Sequence, residues 1–320
     1  MMKILLTGGA GFIGSHLAEA LLKKGYRVVI VDNFNDYYSP RRKEENLNGI
    51  RDHRRLEVVR ADIRDRERME ELFSRHRFPV VIHLAARAGV RPSLAQPLLY
   101  QDVNVGGTLV LLESARRAGT KTFFFASSSS VYGNCPRILL RENEPDLRPI
   151  SPYGLTKLSG EHLCRIFHRQ YGLRIVVFRF FTAYGPRQRP DMAIHAFIRL
   201  ISEGREIPVF GDGTSRRDYT FIDDIVTGIL LALDGEFDYE VFNLGGGHSI
   251  TLFELINLLG DKLARTPTLK RLPFQPGDVM ATRADVSKAR KLLGYRPVTG
   301  LAQGIERFIT WFREVEEEST

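Results

Sequence analysis

Residues 7–14 have the sequence TGGAGFIG, which places glycines at positions 8, 11 and 14. A short apolar run, residues 3–6, precedes this segment, and residues 12–24 follow it with apolar side chains at helical spacing. A glycine turn between a strand and a helix leaves the backbone amides of the helix N-terminus free to face an anion. The segment therefore predicts a strand–turn–helix unit that binds the pyrophosphate of a dinucleotide.

Alternation of strands and helices continues through the first half of the chain. Further apolar segments typical of buried strands lie at residues 27–32, 56–63, 78–86, 121–130 and 173–181. Helical patterns lie between them at residues 65–76, 97–118 and 151–171. Continuous apolar strands that alternate with helices are typical of a parallel sheet covered on both faces. We therefore predict an α/β fold with a doubly wound parallel sheet of the Rossmann type.

A smaller α/β substrate domain is predicted in the C-terminal part of the chain, where turns are frequent and the alternation is less regular. It is expected to comprise residues 181–218 and 246–320. The dinucleotide-binding domain is expected to comprise residues 1–180, with residues from about 219 to 245 returning to it.

The composition is that of an ordinary globular protein, with 43% hydrophobic and 26% charged residues among 320. The N-terminal apolar run is too short for a signal peptide, and no later run reaches the roughly 18 residues of a membrane span. Two cysteines are too few for a disulfide framework or a metal site, which favours a reducing, cytoplasmic location. The net charge is +8, but the basic residues are interleaved with acidic ones, as in RADIRDRERMEE at 60–71. We therefore expect no nucleic-acid or membrane partner.

An acidic residue at the end of the second predicted strand indicates which dinucleotide is expected to bind. Asp32 lies 18 residues after Gly14, where a carboxylate can accept hydrogen bonds from both ribose hydroxyls. Because this carboxylate repels a 2′-phosphate, NAD is expected rather than NADP. Asp62 lies at the end of the third predicted strand and residues 84–86 at the end of the fourth, where the adenine and the middle of the cofactor are expected to pass.

The spacing Thr-Gly-x-x-Gly-x-x-Gly resembles that of the short-chain dehydrogenase/reductase superfamily, which implies a Tyr-x-x-x-Lys pair downstream. The segment SPYGLTKLSGE at 151–161 contains this pair as Tyr153 and Lys157. Residues four apart lie on one face of a helix. The ammonium is expected to stabilise the phenolate and to lower the pKa of Tyr153 from about 10 toward neutrality, so that the tyrosine can act as a general base.

The same resemblance implies a hydroxyl at the end of the fifth strand. In the extended branch of the superfamily it lies four residues before the Tyr of Val-Tyr-Gly, which here is Ser128 before Tyr132. The expected catalytic residues are therefore Tyr153, Lys157 and Ser128. The residues expected to bind NAD are Gly8, Gly11, Phe12, Ile13, Gly14, Asp32, Asn33, Asn35, Asp62, Ile63, Leu84, Ala85, Ala86, Asn104, Tyr153 and Lys157.

The second half of the chain resembles the nucleotide-sugar epimerases and dehydratases, extended short-chain enzymes that keep NAD tightly bound and act on UDP- or dTDP-sugars. The segments that carry this resemblance are VFGDGTSRRDYTFIDDI at 209–225, FNLGGG at 242–247, QPGDVMATRAD at 275–285 and LLGYRP at 292–297. The resemblance implies that Arg217 and Gln275 approach the diphosphate of the substrate. It also implies that Val209 and Phe210 line the uracil and that Asp278 bonds to the ribose.

The residues after Ser128 indicate the reaction. Dehydratases of this group carry an Asp-Glu pair directly after the catalytic Thr, and decarboxylases that act on the 4-ketone of UDP-glucuronate place a glutamate in this segment. This chain has Ser129 and Ser130 there. Without an acid for a second step, the 4-keto sugar is expected only to take its hydride back, which makes the predicted reaction a 4-epimerisation.

The segment RFFTAYGPRQRPDMA at 179–193 indicates the sugar. UDP-glucose 4-epimerases usually have Asn where this chain has Thr182. The segment instead resembles the UDP-glucuronate 4-epimerases, in which a Thr and an Arg recognise the C6 carboxylate. Thr182 supplies a small donor and Arg189 a planar fork suited to a carboxylate, so the resemblance implies conversion of UDP-glucuronate to UDP-galacturonate. Residues 32–47, DNFNDYYSPRRKEENL, also resemble that subfamily.

Two alternatives remain open from the sequence. One is a UDP-glucose/UDP-galactose 4-epimerase, and the other is an NAD(H)-binding regulatory protein without turnover. Regulators of this fold have usually lost the Tyr–Lys pair, which this chain keeps. The helices predicted at 97–118 and 151–171 resemble those of the family's two-fold interface, so a homodimer is expected.

Overall fold

A parallel sheet of seven strands runs through the computed structural model, which describes residues 2–274, 277 and 279–317. The strands in chain order are β1 (Lys3–Thr7), β2 (Arg27–Asp32), β3 (Leu56–Arg60), β4 (Val80–His83), β5 (Thr122–Ser128), β6 (Leu139–Leu140), β7 (Arg174–Phe180), β8 (Thr182–Tyr184), β9 (Ile207–Phe210), β10 (Arg216–Arg217), β11 (Tyr219–Phe221), β12 (Tyr239–Leu244), β13 (Ile250–Thr251), β14 (Leu269–Leu272) and β15 (Arg283–Ala284). The large sheet has the order β12-β7-β5-β4-β1-β2-β3, with every neighbouring pair parallel. Strand order that runs outward in both directions from β1 is the doubly wound arrangement, so the predicted Rossmann-type fold is confirmed.

Helices cover both faces of this sheet. In chain order they are α1 (Phe12–Lys23), α2 (Pro40–Glu45), α3 (Arg66–Arg75), α4 (Val90–Ala95), α5 (Pro97–Tyr100), α6 (Gly107–Arg117), α7 (Pro152–Tyr171), α8 (Ala193–Ser202), α9 (Ile222–Leu233), α10 (Leu252–Leu263), α11 (Ser287–Leu293) and α12 (Leu301–Glu317). Among the described residues, no helix is both long enough and apolar enough to cross a membrane.

The core consists of two apolar layers because side chains of a strand alternate between the faces of the sheet. In β1, Ile4 and Leu6 pack into the layer under α1 and α9, whereas Leu5 packs into the layer under α3, α6 and α7. All three side chains are fully buried. The uninterrupted apolar runs of the sequence therefore follow from burial on both faces.

The helix predicted at residues 97–118 is divided in the structure. A π-helical turn, Gln101–Gly106, separates α5 from α6. Within this turn the buried Asn104 side chain is hydrogen-bonded to the backbone of Arg87 and to Thr156 on α7. Such a wide turn is typical of a position where tertiary contacts outweigh the regular helical spacing.

In the described part of the chain, four short strand pairs outside the large sheet, with the helices beside them, form the smaller part of the molecule. The pairs are β6 with β15, β8 with β11 and β9 with β14, all parallel, and β10 with β13, which is antiparallel. α10, which follows β13, begins with a capping box in which the side chains of Thr251 and Glu254 each accept a hydrogen bond from the other residue's backbone amide. β12 lies in the large sheet beside β7, so a segment within residues 219–245 completes that sheet.

Candidate active site

A cavity of about 860 Å³ lies at the carboxyl ends of the central strands, beside the smaller C-terminal elements. In a doubly wound sheet a ligand crevice forms at this edge, where the strand order diverges on either side of β1. The predicted site residues that line it are Gly8, Gly11, Phe12, Ile13, Gly14, Asp32, Asn33, Asn35, Asp62, Ile63, Leu84, Ala85, Ala86, Ser128, Tyr153, Lys157, Thr182, Arg189, Phe210 and Arg217. Residues spread over two hundred positions of sequence therefore meet in one cleft.

Val209, predicted to line the uracil, does not face the cavity with its side chain, and its contact with the base stays a prediction. Its side chain is fully buried in the core, whereas Pro208 and Phe210 on either side of it line the cavity. The reason is the two-residue period of β9, which sends neighbouring side chains to opposite faces. The other predicted nucleotide contacts, Gln275 and Asp278, lie outside the described residues.

Asn104, also predicted to bind NAD, is hydrogen-bonded inside the protein beside the cavity, and its contact with NAD stays a prediction. Its amide oxygen accepts a hydrogen bond from the Arg87 amide at 2.7 Å, and its amide nitrogen donates to the Arg87 carbonyl at 3.0 Å. A further bond of 3.0 Å joins it to the hydroxyl of Thr156. With its polar atoms bonded inside the protein, Asn104 holds the segment after β4 in place.

The glycine turn between β1 and α1 fits the pyrophosphate of NAD. Gly8 has a φ of 71°, and a Cβ there would lie 2.7 Å from the amide nitrogen of Ala85. A Cβ at Gly14 would collide with the carbonyl oxygen of Gly8. No side chain of the described chain caps α1, so its first amides remain available to phosphate oxygens.

Asp32 fits the ribose that follows the pyrophosphate. Its buried carboxylate accepts hydrogen bonds from the amides of Ala10 at 3.2 Å and Phe34 at 2.9 Å, and Lys43 Nζ lies 4.0 Å away. Burial raises the pKa of Asp32, while the charge of Lys43 and the two amides oppose that rise. A fixed carboxylate at this position matches two free ribose hydroxyls, so the residues present fit NAD.

The three predicted catalytic residues meet where β5 ends and α7 begins. Ser151 caps α7 by accepting a hydrogen bond from the Gly154 amide at 3.1 Å, which places Tyr153 in the first turn and Lys157 one turn later. The Ser128 hydroxyl lies close enough to Tyr153 to lower the pKa of the tyrosine, against the rise that burial causes. A base, a cation and a hydroxyl therefore lie together on the cavity wall.

Burial raises the pKa of Tyr153. The groups that oppose this rise are the Ser128 hydroxyl and the positive charge of Arg189. Lys157 is buried and its Nζ donates to the Ala126 carbonyl at 2.7 Å, and burial lowers the pKa of Lys157 to about 8. The ammonium is thus directed to the end of β5. The expected lowering of the Tyr153 pKa by Lys157 stays a prediction.

Thr182 and Arg189, predicted to bind a carboxylate, both line this cavity. Arg189 donates from Nε and Nη2 to the two carboxylate oxygens of Asp191, each at 2.9 Å. Its Nη1 makes no hydrogen bond to any described residue, which leaves donors for an anion. The guanidinium is therefore held in a defined plane close to Tyr153, with which it interacts electrostatically.

The cavity residues that the sequence did not predict include Tyr37, Tyr38, Lys43, Arg87 and Gln188. The guanidinium of Arg87 lies 5.3 Å from the centre of the Tyr37 ring, and the guanidinium of Arg189 lies 5.2 Å from the same centre. Both are cation–π contacts. Two adjacent tyrosines shortly after the predicted NAD-binding Asp32 were the available sign of such a site.

The remaining substrate positions lie near the smaller part of the molecule. Arg217, in β10, donates from Nη1 to the Arg216 carbonyl at 2.9 Å and lines the cavity. The ring of Phe210 lies 4.6 Å from the guanidinium of Arg91, a contact that the sequence did not predict. An aromatic ring beside arginines is suited to a base with an attached diphosphate.

Comparison with known proteins gives consistent results. Residues 4–245 match the model of the NAD dependent epimerase/dehydratase family. The UDP-glucuronate 4-epimerase of Thermodesulfobacterium geofontis is 42% identical over 311 residues, which cover 97% of this chain and 96% of that protein. The crystal structure of UDP-glucuronic acid 4-epimerase from Bacillus cereus in complex with UDP-glucuronic acid and NAD has a TM-score of 0.93 and 39% identity, covering 98% of this chain and 100% of that one. The crystal structure of UDP-glucose 4-epimerase from Thermotoga maritima with UDP-glucose has a TM-score of 0.90 and 38% identity, with the same coverage.

Proposed function

Because the chain belongs to the NAD-dependent epimerase/dehydratase family, we propose that it is an NAD-dependent 4-epimerase that interconverts UDP-glucuronate and UDP-galacturonate. The observation that carries this proposal is that Thr182 and Arg189 lie on the wall of the cavity that also holds Tyr153. A threonine hydroxyl and an arginine fork together form charge-assisted hydrogen bonds with a carboxylate. The similarity to proteins named UDP-glucuronate 4-epimerase supports the same sugar.

Tyr153 is the proposed acid–base residue. Its phenolate takes the proton from O4 of the sugar and the resulting hydroxyl later returns it, while Ser128 and Arg189 favour the phenolate form. Lys157 has a pKa of about 8, so it remains largely protonated at pH 7 and is proposed to supply positive charge on the cavity wall that it shares with Tyr153. NAD, when bound, supplies a reversible hydride acceptor for C4.

Epimerisation follows from the absence of an acid for a further step. Ser129 and Ser130 line the cavity where dehydratases carry their acidic pair. Hydroxyls of ordinary pKa cannot remove a carbon-bound proton at neutral pH as a carboxylate does. The 4-keto sugar therefore takes its hydride back, on the opposite face once the sugar has rotated.

The carboxylate contact has a second consequence. A 4-keto-glucuronate is a β-keto acid and loses carbon dioxide when its C5–C6 bond stands perpendicular to the plane of the C4 ketone, because the electron pair of that bond then forms the enolate. Arg189, held in place by Asp191, would keep the C6 carboxylate where the C5–C6 bond is away from that alignment. The proposed enzyme therefore retains C6 during turnover.

The nucleotide is proposed to bind near the smaller part of the molecule. Phe210 with Arg91 forms an aromatic and cationic surface for the base, and Arg217 provides charge for the diphosphate. Gln275 and Asp278 are proposed to complete this end. On this proposal residues 1–180, with about 219–245, form the NAD-binding domain, and residues 181–218 and 246–320 bind the nucleotide sugar.

A UDP-glucose/UDP-galactose 4-epimerase is the second candidate, and the likeness to the Thermotoga maritima structure with UDP-glucose favours it. The two candidates share the chemistry at C4 and differ only in the group at C6. A regulatory role without turnover would leave the Tyr153–Lys157 pair without a purpose.

We also propose that the protein is a cytoplasmic homodimer. α5, α6 and α7 carry large apolar side chains that are exposed in the single chain, namely Leu98, Leu109, Leu155, Ile166 and Tyr171. Exposed apolar side chains clustered on these helices support pairing with a second copy. Both cysteines, Cys135 and Cys164, are free, which supports a reducing compartment.

The function is tested by separate incubation with UDP-glucuronate and UDP-glucose, followed by NMR of the configuration at C4. The expected result is conversion of UDP-glucuronate to the galacto epimer without addition of stoichiometric NAD. Faster conversion of UDP-glucose would establish the second candidate. Bound NAD without conversion of either sugar would establish the regulatory one.

A further inference from the structure

We propose that the ion pair between Glu19 and Arg187 is a positioning contact that directs Arg189 toward the C6 carboxylate of the substrate. The inference rests on the proposed function, because it concerns how selectivity for that carboxylate is maintained. Glu19 lies on α1, the helix that follows the glycine turn, and Arg187 lies between β8 and α8, two residues before Arg189. The NAD-binding helix would thereby contribute to the choice of sugar.

α1 contacts this segment at two consecutive residues. Arg187 Nη2 donates to Glu19 Oε1 at 2.6 Å, with each side chain only 22% exposed. One turn earlier on α1, His16 donates from Nε2 to the Pro186 carbonyl at 2.9 Å, since a carbonyl can only accept. Both contacts join residues about 170 positions apart in the chain.

The ion pair matters because it holds a residue, Arg187, whose backbone has an unusual conformation. Arg187 has a φ of 64°, in the left-handed region that residues other than glycine adopt only when their surroundings hold them there. This dihedral sets the direction in which the chain continues to Arg189. A contact that holds Arg187 therefore also sets where the guanidinium of Arg189 lies.

The next residue is held from the other side. The Gln188 amide donates to the Gly185 carbonyl at 3.1 Å, and its side chain donates to the Ala183 carbonyl at 2.9 Å. The Gln188 carbonyl is bonded to Nδ1 of the buried His195 on α8 at 2.7 Å. With Gln188 fixed on α8 and Arg187 fixed on α1, loss of the ion pair would free one side of the turn only.

Loss of the pair is expected to disturb recognition of the carboxylate more than the chemistry at C4. The α1 contact does not touch Tyr153, Lys157 or Ser128, whose positions depend on α7 and β5. A guanidinium displaced by a fraction of an ångström still leaves the cavity open to a neutral sugar. The displaced guanidinium can no longer form its aligned pair of hydrogen bonds with the C6 carboxylate of an anionic sugar.

The test compares Glu19→Ala, Arg187→Ala and the double variant with the wild type. Lys24→Ala is the matched control, because Lys24 also lies beside α1 and forms a long-range ion pair, with Asp234 at 2.7 Å, far from Arg187 in the chain. The measured quantities are the ratio of kcat/KM for UDP-glucuronate to that for UDP-glucose and the share of product released as UDP-4-keto-pentose. NAD content and the thermal midpoint of each purified variant are measured alongside.

The ratio is expected to fall about five- to tenfold in either single variant and no further in the double variant, with more keto-pentose released. Lys24→Ala should keep the wild-type ratio. An unchanged ratio or an equal loss of activity for both sugars would overturn the inference. So would a double variant whose ratio falls by the product of the two single-variant factors. Should Arg187→Ala not fold, Glu19→Gln, which keeps the shape and removes the charge, carries the same test. A wild-type enzyme that prefers UDP-glucose overturns the proposed substrate and this inference together, and that result is visible without any variant.

Discussion

Tyr153 is the residue on which the proposed proton transfer depends. Tyr153→Phe removes only the hydroxyl, so turnover is expected to be abolished while the fold and the NAD content remain. Lys157→Ala should reduce both activity and NAD content, because it removes a buried cation from the wall of the cofactor cavity. Activity assays and the absorbance of released cofactor check both results. A Tyr153→Phe enzyme with measurable turnover would refute the assignment.

Arg189 is the residue expected to decide between the two sugars. A charge-assisted hydrogen bond contributes roughly 1.5–3 kcal/mol, so Arg189→Ala should lower kcat/KM for UDP-glucuronate by about tenfold to a hundredfold. Conversion of UDP-glucose should hardly change, since its C6 carries a neutral hydroxymethyl group. The variant is also expected to release some UDP-4-keto-pentose, which chromatography of the products detects. Equal slowing of both sugars would mean that the arginine is structural.

At the scale of elements, β1, β4 and α6 meet at the buried His83. Thr7 Oγ1 lies 2.7 Å from its Nδ1 and Thr108 Oγ1 lies 3.0 Å from its Nε2. Burial, and then the charge of Lys157, lower the pKa of His83 to about 3. The folded state therefore holds a neutral imidazole at a pH where the unfolded chain is protonated.

This depressed pKa makes stability depend on pH in a defined direction. The unfolded chain binds a proton near pH 6.5 and the folded protein only near pH 3, so stability is full above pH 6.5 and is lost as the pH falls. Between pH 7 and pH 4 the loss from this group is on the order of 3 kcal/mol. Denaturant unfolding at the two pH values should therefore show a smaller loss for His83→Gln than for the wild type. The exposed His248 provides the control, and the same loss in His83→Gln as in His248→Gln would contradict the prediction.

At the same scale, a buried ion pair fixes α7 on the sheet. Arg179 in β7 donates to both carboxylate oxygens of Glu161, at 2.9 and 2.7 Å, and Ser127 in β5 donates to the same carboxylate at 2.5 Å. Glu161 lies one turn after Lys157 on α7. The catalytic face of the helix is thus joined to two neighbouring strands directly beside Ser128.

At the scale of the whole molecule, the proposed homodimer predicts a change of mass on a single substitution. Leu98 on α5 is 85% exposed in the single chain, so Leu98→Glu would place a charge inside the proposed interface. Light scattering at micromolar concentration should give a dimer for the wild type and a larger monomer fraction for the variant. Val298, 81% exposed and outside these helices, is the matched control, and Val298→Glu should remain dimeric. A monomeric wild type would contradict the proposal.

Much of this protein could be predicted from the sequence because the relevant features are local. The glycine spacing at residues 7–14 predicts a turn whose carbonyls and amides leave no space for a Cβ. Apolar runs predict buried parallel strands, and the four-residue spacing of Tyr153 and Lys157 places both on one face of α7. Each of these follows from neighbours within about one or two turns of chain.

Tertiary structure decided what the local pattern left open, above all in the segment 179–193. Its three arginines look equivalent in sequence, yet Arg179 binds Glu161 inside the fold, Arg187 binds Glu19 on α1, and Arg189 lines the cavity. Their partners lie 18, 168 and 2 positions away, and the folded chain shows that of the three only Arg189 lines the cavity among the described residues. The same holds for the side-chain directions within β9 and for the bonds of Asn104, because direction and partner are set by contacts between distant segments and not by spacing along the chain.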